Sequence, residues 1–226
     1  MATVTEHPES LVAGPPLFIT AADLLERLGD IPPDRVLLHP PPGTATEEDV
    51  SEVNESKRHI CELIDGTLVE KTMGFYESVL GITLASIIGE YVRQHDLGIV
   101  AGEGGALRFA LGLVFVPDVS FVSWKRLPDR KIPRKKIPHL IPDLAVEVLS
   151  ESNTRKEMAR KLREYLDKGV ELVWYLDPEL RTMTVHQPNA EPVIVPEDGV
   201  IDGGNVLPGF TLKVADIFLQ AGPREE

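Results

Sequence analysis

"PDLAVEVLS" (Pro142–Ser150) is the stretch from which the fold can be read. Leu144, Val146 and Val148 alternate with Asp143, Ala145, Glu147 and Leu149, the period of two that marks a strand. One position breaks the pattern. Glu147 falls on one face between Ala145 and Leu149, where an unpaired charge is costly. A second stretch, "LVFVPDVSFVS" (Leu113–Ser123), reads as another apolar strand and carries the same anomaly at Asp118. If the two strands are sheet neighbours, Asp118 and Glu147 project from one face. Two carboxylates buried together repel unless a proton or a cation lies between them. Converging oxygen ligands suit a hard divalent cation, Mg2+ or Mn2+, with water completing its shell.

The elements around these strands follow from periodicity and turn chemistry. Residues 1–58 read as an N-terminal arm. It starts with a tail to about residue 16, then a short helix from Thr20 to Gly29, a proline-rich linker, and a helix capped near Thr46. The main domain is expected over 59–220, beginning near His59, with 221–226 as a C-terminal tail. "ICELIDGTLVEK" reads as a hairpin turning at Asp65-Gly66. "FYESVLGITLASIIGEYVRQHDLG" repeats Phe75, Val79, Ile82, Leu84, Ile87, Ile88, Tyr91 and Val92 at helical spacing, and is expected to end near Gly98. "GIVAGEGGALRFAL" is expected as one strand with a glycine bulge. A polar helix, capped at Asn153 or Thr154 and stopped at Gly169, follows the Glu147 strand. Two further strands turn at Asp177-Pro178, and short strands with a final helix close the chain. Strands on both sides of a helix imply an α/β domain with a mixed sheet.

Lys161 lies on the polar helix about 60° from Met158, at the edge of the stripe formed by Met158, Leu162 and Tyr165. It can lean toward the carboxylates, where a cation would orient a water or stabilise phosphate charge. A surface lysine whose stem only covers apolar neighbours fits the spacing equally. Glu77, near the start of the long helix, either reaches the metal through water or favours the helix N-terminus.

Composition narrows the function classes. Hydrophobic residues make up 42% and charged residues 26%, as in soluble globular proteins. No apolar run approaches the roughly 20 residues that span a bilayer, so no membrane partner is expected. The first ten residues lack a basic region followed by an apolar block, and the single cysteine, Cys61, fits a reducing compartment; the expected location is the cytoplasm. Six histidines show no zinc spacing, and phosphate-loop and nucleophile-elbow motifs are missing. Net charge is −13, yet "KRLPDRKIPRKK" (Lys125–Lys136) holds seven basic residues against Asp129 alone. That loop is either a solvated, proline-stiffened surface or a contact for a nucleic-acid backbone.

"CELIDGTLVEKTMG", "VPDVSFVSWKRLP" and "PDLAVEVLSESNTRKEMARKLREYLDKGVELVWYLDPELRTMTVH" together resemble the Uma-two family of restriction endonuclease-like proteins, within the PD-(D/E)XK nuclease superfamily. The resemblance covers about residues 59 to 218. It implies a restriction-endonuclease-like core, a mixed β-sheet flanked by helices, and a Mg2+- or Mn2+-dependent endonuclease acting on nucleic acid, DNA first. A homodimer is compatible with cutting both strands. Asp118 matches the aspartate of the motif's first half and Glu147 the acid of its second. Leu149 stands where the simple motif has lysine, and Lys161 matches the position from which this family supplies it. Glu77 stands where relatives carry a histidine, and Glu62 matches a recurring glutamate, either a site acid or an anchor of the hairpin. Asp118, Glu147 and the carbonyl of Val148 are the expected metal ligands, with the Lys125–Lys136 loop near the site. The alternative is a catalytically inactive nucleic-acid-binding or assembly module on the same fold.

Overall fold

In the computed structural model, which describes residues 18–56, 60–72 and 74–222, the run Leu113–Ser123 is two strands instead of one. The elements are α1 (Ala21–Leu28), α2 (Glu47–Glu55), β1 (Cys61–Ile64), β2 (Thr67–Glu70), α3 (Phe75–Gln94), β3 (Gly98–Gly102), β4 (Leu107–Ala110), β5 (Leu113–Phe115), β6 (Val119–Ser123), β7 (Leu144–Val148), α4 (Arg155–Asp167), β8 (Leu172–Asp177), β9 (Thr182–His186), β10 (Val193–Val195), β11 (Val200–Gly203), β12 (Leu207–Lys213) and α5 (Val214–Ala221). The tail expected over the first 16 residues, the boundary at His59 and residues 223–226 lie outside the described residues.

A six-stranded sheet runs in the order β10-β9-β8-β7-β6-β3. Its β7–β8 pair is parallel and its other pairs are antiparallel, which makes it the expected mixed sheet. A four-stranded antiparallel sheet, β2-β1-β5-β4, lies beside it, and β11-β12 form a separate ribbon. The chain passes from the smaller sheet to the larger one through Val116, Pro117 and Asp118. A proline suits this crossing because it cannot donate to a ladder. Asp118 is therefore at a corner between two sheets, not inside a strand. The β3 and β4 segments, expected as one bulged strand, likewise belong to different sheets.

The period of two in β7 places its side chains in two layers. Leu144, Val146 and Val148 join Leu80, Leu84, Ile88, Trp174 and Phe218 in a core between the sheet and helices α3 and α5. Ala145 joins Tyr165, Val173, Tyr175 and Phe115 on the opposite face, under α4. Both faces of the parallel pair are thus covered, as such strands require. Helix α3 ends at its cap His95, earlier than expected, because Gly98 already pairs with Ser123. A Cβ at Gly98 would stand 2.1 Å from the Val122 carbonyl oxygen, so only glycine permits this approach. Phe75 and Ile82, expected in the buried stripe of α3, are 89% and 63% exposed. Asp65 and Gly66 both have positive φ (49° and 73°), the backbone of the tight turn read from sequence.

The arm packs against the body. Leu24, Leu28 and Ile31 enter the core under α4, and Val50 of α2 packs with Leu63, Leu68 and Val114. Buried Arg35 donates to both carboxylate oxygens of buried Glu157, at 3.0 and 2.8 Å.

Candidate active site

Five charged side chains meet where the two sheets adjoin. β1 brings Glu62, the residue after β2 is Lys71, the corner carries Asp118, β7 carries Glu147, and α4 contributes Lys161. Thr154 caps α4 through a capping box with Glu157, which fixes where the helix begins and so which residues face inward. The buried positions are Glu157, Met158, Lys161 and Tyr165. Lys161 is 5% exposed, so the inward reading of its wheel position holds, and the surface-lysine reading does not.

The contacts divide the Glu147 carboxylate into two ends. Its Oε1 lies 2.8 Å from Lys161 Nζ and accepts the Tyr165 hydroxyl at 2.5 Å. Lys161 also donates to Glu62 Oε1 at 2.8 Å, and that oxygen accepts the Val116 N–H at 3.0 Å. The other oxygen, Glu147 Oε2, lies 3.3 Å from Lys71 Nζ. Lys71 Nζ is also 2.7 Å from Asp118 Oδ1, an ion-pair contact without hydrogen-bond alignment, and it donates to the Val116 carbonyl. Asp118 Oδ2 accepts the Val148 N–H at 2.7 Å.

Burial dominates the electrostatics of the cluster. Loss of hydration raises the Asp118 carboxyl to about 6, with Glu147 adding to the rise and Lys71 opposing it. Glu147 is buried too, but Lys161 and Lys71 together outweigh the desolvation and hold it below the usual carboxylate range. Lys71 and Lys161 lose hydration as well, yet the carboxylates around them hold both above the ordinary lysine value. Cys61, on the same strand as Glu62, is fully buried; burial first, then Glu70 and Glu62, pushes its thiol up to about 12, which makes it a structural thiol.

The structure thus brings together Glu62, Asp118, Glu147 and Lys161, and it adds Lys71, which the sequence reading missed. Nothing in "GTLVEK" marks it: only the fold shows that strand β2 buries Leu68 and Val69 and that its exit carries Lys71 to the corner. Glu77 is elsewhere. Among the described residues no hydrogen bond or ion pair joins it to the cluster, and its carboxylate folds back over Gly74 at the start of α3. With Thr72, Ser150, Arg155 and Asp177 it lines a cleft of about 670 Å3. Val148 offers its N–H to Asp118, and the carbonyl that meets the central cation is that of Val116. The basic loop does not start near the site. Its Arg126 is anchored to Asp143 at 2.7 Å, at the opposite end of β7 and four residues, about 13 Å, from Glu147.

Among the described residues, no three His, Cys, Asp or Glu side chains converge as a ready-made metal centre. The donor set nevertheless fits a hard cation. Val116 O, Asp118 Oδ1 and Glu147 Oε2 converge on one positive charge, the Lys71 ammonium, which stands in for a cation there. Mg2+ in particular is held by one or two carboxylates, with water and substrate oxygens completing its shell.

Comparison with known proteins places the chain in a family and a fold. No curated protein matches the chain. The crystal structure of a putative nuclease of the DUF820 group from Anabaena variabilis ATCC 29413 superposes with a TM-score of 0.64 over 71% of this chain and 90% of that one, at 23% identity, a likeness of fold. The model of the Uma2 family, described as "Putative restriction endonuclease", matches residues 48–215, a span that contains every charged residue of the cluster. The chain therefore belongs to the Uma2 family.

Proposed function

We propose that the protein is a metal-dependent endonuclease that hydrolyses phosphodiester bonds of nucleic acid, DNA in the first instance. The observation that carries this reading is the convergence of three oxygens, from Val116, Asp118 and Glu147, on one cation position at a corner between two sheets. Asp118 and Glu147 would hold Mg2+ or Mn2+. When bound, the ion supplies Lewis acidity toward a phosphate oxygen and lowers the pKa of a coordinated water. The remaining work falls to the chain itself. The Val148 N–H fixes one Asp118 oxygen, leaving the other for the ion. Lys161 and Tyr165 hold Glu147 by Oε1, so that Oε2 faces the cation position. Glu62 anchors Lys161, whose remaining N–H can orient a water and whose charge offsets that building on the phosphate. Two clefts offer the substrate an approach: the one beside Thr72, the residue after Lys71, and a smaller one of about 360 Å3 that Asp118 itself lines.

One observation favours the alternative, a binding or assembly module. Lys71 already pairs with both carboxylates, as it would in a site that cuts nothing. Cleavage assays on DNA and RNA substrates with Mg2+ or Mn2+ decide between the two. Chelator is expected to abolish cleavage. Asp118→Asn and Glu147→Gln are each expected to lower it by roughly 100-fold or more. Cleavage that survives both substitutions would sink the site. Salt-dependent binding of nucleic acid with no cleavage would favour the module.

A further inference from the structure

We infer that Lys71 is a built-in competitor of the metal ion: its ammonium closes the cation position between Asp118 and Glu147, and it must swing out for a divalent ion to enter. The inference rests on the reading of these two acids as metal ligands and adds a gate to it.

Distances make the two cations exclusive. Lys71 Nζ is 2.7 Å from Asp118 Oδ1 and 3.3 Å from Glu147 Oε2, and it also meets the Val116 carbonyl. A small divalent ion bound by the same oxygens at about 2.1 Å would occupy nearly the same point. Charge favours exchange over coexistence. Three carboxylates (Glu62, Asp118, Glu147) and the Lys161 ammonium leave a formal charge of −2 when Lys71 is set aside. A divalent ion brings that to zero. A divalent ion together with Lys71 would leave a buried excess of positive charge, which is costly.

The two lysines are placed differently for such a role. Lys161 is locked on the inner side by Glu62 and by the Glu147 oxygen that also accepts the Tyr165 hydroxyl. Lys71 follows the last residue of β2, and its neighbour Thr72 lines the 670 Å3 cleft. Rotation about its four-carbon stem is enough to carry the ammonium from the acids toward that cleft. There it would meet the phosphate of a bound substrate, so the charge it withdraws from the acids is delivered to the substrate's side.

The test uses the full chain and Mn2+ alone, with two readouts. Calorimetric titration compares wild type, Lys71→Met and Asp118→Asn. Lysine acetylation followed by peptide mass spectrometry is run on wild type with and without Mn2+. Lys71→Met is expected to bind Mn2+ on the order of tenfold tighter or more, because the competing charge is gone. A purely structural lysine would give looser binding or none when replaced. In wild type, Mn2+ is expected to raise acetylation of Lys71 about tenfold while Lys161 stays protected. The second readout stands even if Lys71→Met fails to fold. Mn2+ binding to wild type with Lys71 still protected, and no tighter in Lys71→Met, overturns the gate but leaves the metal site. Failure of Mn2+ to bind either protein overturns both readings. Binding by Lys71→Met alone supports a gate that the ion cannot open unaided.

Discussion

Tyr165 is fully buried, and it spends its only hydroxyl on Glu147. Its ring lies 5.3 Å from those of Phe109 and Phe115, so packing fixes the hydroxyl before the bond forms. Burial first, then the nearby Glu147 and Glu62 charges, hold its pKa well above the usual value, and it remains a donor throughout the working pH range. Tyr165→Phe keeps the ring and removes the bond to a buried charge. The expected loss of stability is about 1–3 kcal/mol by urea denaturation. Metal-dependent cleavage should fall by roughly 10- to 100-fold, since Glu147 loses part of its orientation. At this scale Asp118 and Glu147 were legible because an acid in an apolar run contradicts its surroundings, whereas for Lys161 the spacing left a surface lysine equally open and the family resemblance supplied it. Lys71 escaped because a lysine at the end of an amphipathic strand contradicts nothing. Its burial depends on a corner formed by residues more than 40 positions away.

At the scale of elements, α1 and the turn Pro33–Arg35 are tied to the start of α4. Arg35 grips Glu157 with two nitrogens and also donates to the carbonyls of Glu70 and Ser152. Glu157 in turn caps α4, the helix that carries Lys161 and Tyr165. Removing only the arginine strands a buried carboxylate. Arg35→Met should therefore cost about 3–5 kcal/mol, while the double change with Glu157→Met recovers much of the loss, as urea melts of the two variants would show. Helices α1 and α2 were legible in the sequence, but this clamp was not, because it joins residues 122 positions apart. The break between β5 and β6 was hidden for a related reason. Leu113–Val116 and Val119–Val122 are buried alike, so the alternation carries no mark where one sheet gives way to the other.

For the whole molecule, the proposed function requires an acidic body with net charge −13 to approach a polyanion. Much of the basic loop is already engaged: Arg126 with Asp143, Arg130 with Asp96 and Lys136 with Glu55. Lys125, Arg134 and Lys135 are exposed and have no acidic partner among the described residues. If they meet phosphates, replacing all three with serine should flatten the salt dependence of DNA affinity by about 0.9 in log–log slope per lost contact. Because the loop starts at the far end of β7, cleavage at saturating DNA should stay unchanged. The mixed sheet and its flanking helices were legible from the order of elements, and so was the β1–β2 hairpin, whereas the second sheet was not, since the short β5 joins that hairpin through a pairing as distant as Leu63 with Val114. The crossing at Val116–Asp118 bears on how the protein comes into being during synthesis. The strands of the smaller sheet can pair as soon as residues 60–115 have emerged, but Asp118 gains the Val148 N–H only after β7 is laid down. Glu147 is not aimed until α4 docks with Lys161 and Tyr165. On the proposed function, a half-made chain can therefore bury apolar surface early and still lack the assembled site, so cutting would begin only with the nearly finished polypeptide.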